Sequence, residues 1–242
     1  MERLALGACN RGVSLAPYVV EMCLERRRRI VTELGIGFAV AYVAGAAFAL
    51  WVKYSGGWTA GTAWDMDVLR RVQAPLPRWL DLVMLTVPWF GTNITILAIV
   101  IPVSVWLWRR RRKDLVVPLG AVSVGCYLLN LLIKLAFARP RPMLWEHRGE
   151  YTWSSYPSGH AIAMMSVLPI VAWLTYRERG WVWPFVICLA LVVPMVYSRV
   201  YLGVHWPTDV AAGLIVGVIW GVAVRLALRG SHGVVRWGQA VE

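Results

Sequence analysis

The sequence is poor in residues that serve redox or metal chemistry. It has four cysteines, Cys9, Cys23, Cys126 and Cys188. Their spacing fits neither a zinc site nor a disulfide framework, so they are read as small apolar residues. Lysine occurs only at positions 53, 113 and 134, and 13 acidic residues stand against 25 basic ones. The polar loops hold no cluster of carboxylates such as a magnesium site needs, so neither a metal nor a cofactor is expected. There is no strong internal repeat. No soluble basic module is left over, and this argues against a nucleic-acid partner despite a net charge of +12.

What the chain does have is apolar length. Hydrophobic residues make up 59% of it, and runs of about 20 apolar residues recur, the length that crosses a bilayer. The pattern predicts an all-α, polytopic integral membrane protein with six transmembrane helices, near 30–52, 92–108, 115–138, 158–176, 181–198 and 207–228. Short interfacial helices are expected after the first span, where "AWDMDVLRRVQ" and "LPRWLDLVMLTV" are amphipathic. The expected organisation is an N-terminal segment 1–29, a membrane domain 30–228 and a tail 229–242. Arg26 to Arg29, Arg109 to Lys113, Arg177, Arg179, Arg225 and Arg229 then share one side. By the positive-inside rule that side is the cytoplasm, with both termini on it, in the plasma (inner) membrane. The loops 53–91, 139–157 and 199–206 face outward, toward the periplasm or the cell exterior. Gly-rich stretches such as "AAGLIVGVIWG" suit close helix packing.

The outward loops carry three polar clusters. "KLAFARPRP" contains Lys134, Arg139 and Arg141; "YPSGH" contains Ser158, Gly159 and His160; "SRVYLGVHWPTD" contains Arg199, His205 and Asp209. Ionisable groups at span ends mark function by default. Lys134, Arg141 and Arg199 suit a phosphate dianion. Ser158 is placed as an N-cap and Gly159 allows close approach to the backbone, so the first amides of the fourth span can bind an anion. Of the two histidines, one can attack phosphorus and the other can protonate the departing oxygen. Pro207 is suited to open a helix. Asp209, in its first turn, can then reach back to the imidazole of His205.

These clusters resemble the signature of the type 2 phosphatidic acid phosphatase family: K-x6-RP, then PSGH, then SR-x5-H-x3-D. All three match in order, over residues 134–209. The resemblance implies a lipid phosphatase in which His205 is the nucleophile, His160 the general acid, and Asp209 the residue that orients His205. Lys134, Arg141, Ser158, Gly159 and Arg199 would hold the phosphate, and no metal is required. The implied partner is a lipid phosphate within the membrane. Undecaprenyl diphosphate ranks first, because an outward site is where its product is released. Phosphatidylglycerophosphate, phosphatidic acid and lipid A phosphates follow, as does phosphotransfer to a lipid acceptor.

Two other classes of protein fit the sequence less well. A haloperoxidase shares these motifs but does not need six lipid-embedded spans. A transporter would need charges inside the spans. Arg139, outside the motif, is expected to be a solvated loop charge; His147 and His232 are given no role.

Overall fold

The computed structural model describes residues 17–72, 77–145 and 154–227. His147, His232, the loop 146–153 and the segment 228–242 lie outside the described residues. Among the described residues every regular element is helical, so the protein is all-α. Helix α1 spans Pro17–Tyr54, α2 Gly57–Ala60, α3 Ala63–Val72 and α4 Arg78–Thr86. A 3-10 turn, Val87–Gly91, leads into α5, Asn93–Arg109. Then come α6 (Lys113–Phe137), α7 (Gly159–Arg179), α8 (Trp183–Tyr201) and α9 (Pro207–Ala227).

Five of these are long and apolar enough to span a membrane: the Leu24–Tyr54 part of α1, the Leu115–Phe137 part of α6, and α7, α8 and α9. The second expected span differs. Helix α5 has only 17 residues, about 25 Å of rise, short of the bilayer core. It reaches six-span length together with Trp79–Gly91, from which it is bent by 52°. Thr92, with extended backbone, breaks the run; its hydroxyl caps α5 by accepting the Thr95 N–H at 3.2 Å. The first span also differs, because helical geometry continues back through "ERRRR" to Pro17.

Helix α9 is central. One face carries Gly213, Gly217 and Gly221, and α7 lies against it. A Cβ at Gly213 would stand 2.7 Å from the Ser158 carbonyl oxygen, and one at Gly217 2.9 Å from that of Ile162. Only glycine permits this approach, so the small-residue stripe fixes where α7 begins relative to α9. The aliphatic core includes Leu119, Leu129, Ile133, Val167 and Val216. The outside is apolar as well: Val40, Val43, Ile101, Leu132, Leu189 and Val193 are exposed, as lipid contact requires. At one end of the bundle Arg179 lies over Trp106 and Arg225 over Trp173. Arg112 there pairs with Glu178.

Candidate active site

The opposite end holds a cavity of about 740 Å³. Lys134, Arg141, Gly159, His160, Arg199 and His205 all line it. Each comes from the end of a helix or the loop beside it. Lys134 is in the last turn of α6, which stops at Ala138 in the left-handed conformation. Its ammonium donates to the Ser154 carbonyl at 2.6 Å, and Arg141 Nη2 donates to the same oxygen at 3.2 Å. Arg141 Nη1 also donates to the Val204 carbonyl. Lys134 and Arg141 thus share one backbone acceptor before α7, and Arg141 also ties that loop to the connection before α9.

Ser158 is the N-cap of α7, as its position in the sequence suggests. Its side chain makes no capping bond, and Oγ, fully buried, has no partner among the described residues. Ser158 N–H donates to the Asp209 carbonyl at 3.1 Å, which joins the starts of α7 and α9. Pro207 opens α9 and Asp209 sits in its first turn. The Asp209 Oδ2 accepts the Trp206 N–H at 3.0 Å, a reach back to the helix start of the capping-box kind. His205 Nδ1 lies 3.8 Å from that oxygen. This is ion-pair range and too long for a hydrogen bond.

His205 lies in the connection before α9. Its imidazole is held well below the ordinary histidine value, first by burial and then by the charges of Arg141, Lys134 and Arg199. It is therefore neutral at pH 7, the state a nitrogen nucleophile needs. The bend between the 3-10 turn and α5 closes the cavity on the His160 side. A Cβ on Gly91 would stand 2.9 Å from His160 Cδ2. Leu85, Trp89, Leu131 and Leu135 line the same cavity, so it runs from a basic end to an apolar one. Leu135 and Trp89 are exposed on the bundle surface.

Arg139 corrects the reading from sequence. It is no solvated loop charge, because it is wholly buried. Its guanidinium carbon lies 5.6 Å from the Trp58 ring centroid and 5.2 Å from that of Trp206. All five of its N–H groups find acceptors. Nε donates to the Trp58 carbonyl at 3.1 Å. Nη1 donates to Thr208 Oγ1 at 2.8 Å and Asp209 Oδ1 at 2.6 Å. Nη2 donates to the Gly57 carbonyl at 2.6 Å and Asp65 Oδ2 at 3.2 Å. Asp65 and Thr208 were not singled out in the sequence, and neither was Asn130. Asn130 lines the cavity one helical turn before Lys134, and its buried Oδ1 has no partner among the described residues. Only the spacing of four to Lys134 on one helix face could have marked it.

A bundle of membrane-spanning helices with a basic cavity at one end, bordered by an apolar wall, defines a multi-pass membrane protein. Residues 115–231 match the PAP2 superfamily. The chain is 36% identical over 126 residues to an undecaprenyl-diphosphatase of Sulfolobus acidocaldarius, covering 48% of this chain and 57% of that one. It is 30% identical over 141 residues to the undecaprenyl-diphosphatase BcrC of Bacillus subtilis, covering 54% and 68%. A transmembrane PAP2-type phosphatidylglycerolphosphate phosphatase from Bacillus subtilis has the same fold. It superposes with a TM-score of 0.68 at 21% identity, over 78% of this chain and 94% of the other. The chain belongs to the PAP2 superfamily.

Proposed function

We propose that the protein is a metal-independent lipid phosphatase acting on undecaprenyl diphosphate, with its cavity on the outer face of the plasma membrane and both termini in the cytoplasm. One observation carries the reading: residues of all three sequence clusters, drawn from two loops and the helix ends beside them, line a single cavity with a basic end and an apolar wall. The terminal phosphate would sit among Lys134, Arg141 and Arg199, on the amides at the start of α7 and beside Ser158 and Gly159. His205 Nε2 attacks phosphorus, because Nδ1 faces Asp209. The bond from phosphorus to the departing oxygen breaks, and His160 gives that oxygen its proton. Water then attacks the phosphohistidine. The P–N bond breaks, His160 takes the proton of the water, and inorganic phosphate leaves. The three cations stabilise the equatorial oxygens as charge builds on them. Reading the reaction as metal-free is supported by the lining, which has no carboxylate among its described residues.

The test is phosphate release from undecaprenyl diphosphate by detergent-purified protein, with a chelator present, beside a His205→Ala variant. Phosphatidylglycerophosphate and phosphatidic acid run in parallel. Release by wild type alone, fastest on undecaprenyl diphosphate, supports the whole reading. Release confined to another lipid moves the substrate and keeps the mechanism. Equal release by both proteins overturns the role of His205.

A further inference from the structure

Helix α3 lies outside the stretch that matches the superfamily, yet it places a carboxylate at the heart of the loop cluster. Asp65 is fully buried. Its Oδ1 accepts the Thr208 N–H at 2.8 Å, and its Oδ2 accepts the Thr208 hydroxyl at 2.9 Å and Arg139 Nη2 at 3.2 Å. Oδ2 also accepts the Thr62 N–H at 2.9 Å, which fastens the carboxylate to its own helix start. Resting on the reading above, we propose that Asp65 is a positioning residue for the His205–Asp209 pair and acts through Arg139 and Thr208.

The first part of the argument is geometric. Asp209 has two oxygens, and each is held from a different side. Arg139 takes Oδ1 and the Trp206 N–H takes Oδ2. This fixes the plane of the carboxylate, with Oδ2 turned to His205 Nδ1. Arg139 in turn is held by Asp65 and by two carbonyls of α2. Thr208, the neighbour of Asp209, is gripped at both N–H and hydroxyl by Asp65. An orphan amide of the first turn of α9 therefore finds its acceptor on another helix. Loosening Asp65 would weaken the hold on Arg139, which fixes Asp209 Oδ1, and would release the Thr208 amide beside it.

The second part concerns charge. When His205 takes up phosphorus its imidazole becomes cationic, and Asp209 is the group that offsets it. Arg139 alone beside Asp209 would cancel the charge that this needs. Asp65 restores it: one guanidinium and two carboxylates sum to a formal −1. A buried group is worth far more in this role than an exposed one, and Asp65, Arg139 and Asp209 are all fully buried. Helix α3 is thereby a working part of the site and more than a surface helix.

The experiment uses the full chain in detergent. Asp65→Asn keeps the shape and removes the charge. Phosphoenzyme formation is followed by rapid quench in a single turnover, and inorganic phosphate is titrated as a competitive inhibitor. The variant should form phosphoenzyme roughly 10- to 100-fold more slowly, the usual scale for a supporting partner behind a reacting group. Its inhibition by phosphate should match wild type, because Lys134, Arg141 and Arg199 are untouched, while its unfolding temperature should fall, because buried Arg139 loses one of its two counter-charges. A phosphorylation rate equal to wild type overturns the proposal. So does a parallel loss of phosphate binding, which marks a purely structural role. If Asp65→Asn cannot be recovered folded, Thr208→Val removes the hydroxyl between Asp65 and Arg139. It should slow phosphorylation about fivefold at unchanged phosphate inhibition, and an unchanged rate there overturns the proposal equally. A wild type that forms no phosphohistidine fails at the earlier step and removes the proposal with its basis.

Discussion

The carboxamide of Asn130 packs directly on Gly159: a Cβ added there would stand 3.0 Å from both its Nδ2 and its Oδ1. Both residues line the cavity beside His160. Gly159→Ala should therefore push the amide aside and disturb the leaving-group side of the cavity. We expect kcat/KM to fall by about tenfold, near 1.4 kcal/mol of transition-state stabilisation, with little change in unfolding temperature. Asn130→Ala opens the space that the new methyl needs. The double variant should then lose less than the two single losses combined, as neighbours sharing one contact do. Strict additivity would show that the two side chains act separately.

Stability should depend on pH through His205. Its imidazole is held below the ordinary histidine value in the fold, while an unfolded chain titrates near 6.5. As pH falls below about 6.5, the unfolded chain takes up a proton that the folded chain refuses until its own lowered value is reached. The stability belonging to the neutral imidazole is whole above about 6.5 and shrinks through that window. Unfolding temperatures measured from pH 7.5 to 5.5 should fall more steeply for wild type than for His205→Asn. Equal slopes would mean that another group titrates. Added phosphate should oppose the fall in wild type, because the anion offsets Arg141, Lys134 and Arg199.

Much of the site was legible because its groups sit in three short stretches at helix ends. Runs of apolar residues set the helices, and the motif spacing set Lys134, Arg141, His160, His205 and Asp209. Arg139 was misread for a physical reason. Its partners Gly57, Trp58, Asp65 and Thr208 lie 69 to 82 residues away, and a lone Arg between prolines gives no local sign of them. The bend at the start of the second span was not legible for a related reason. Composition marks a stretch as apolar, but the bend at Thr92 depends on a capping hydroxyl and on Gly91 fitting against His160. The expected contact of Asp209 with His205 is longer than a hydrogen bond, and Oδ2 accepts the Trp206 N–H.

At the end away from the cavity, Arg112 Nη1 donates to the Glu178 carboxylate, which joins the start of α6 to the last turn of α7. Both side chains are largely buried, at 9% and 16% exposure. Glu178→Gln removes a carboxylate from a largely buried guanidinium at the basic end of the bundle. The cost should be about 1–3 kcal/mol of stability, below the range for a fully buried broken pair. Activity per folded molecule should not change. A variant as stable as wild type would show that the pair is solvated in the membrane.

The basic end of the bundle carries Arg110, Arg112, Arg177, Arg179 and Arg225, and the cavity lies at the other end. Positive charge beside spans is retained in the cytoplasm, so the two ends should label oppositely in intact cells. Met143, near the cavity, is 82% exposed, and Arg110 is exposed at the basic end. In a background with the four native cysteines replaced, Met143→Cys should react with a membrane-impermeant maleimide in intact cells. Arg110→Cys should react only after permeabilisation. The reverse pattern would turn the cavity to the cytoplasm. The reason for ranking undecaprenyl diphosphate first, release of its product outside, would then be lost, although the phosphohistidine chemistry would stand.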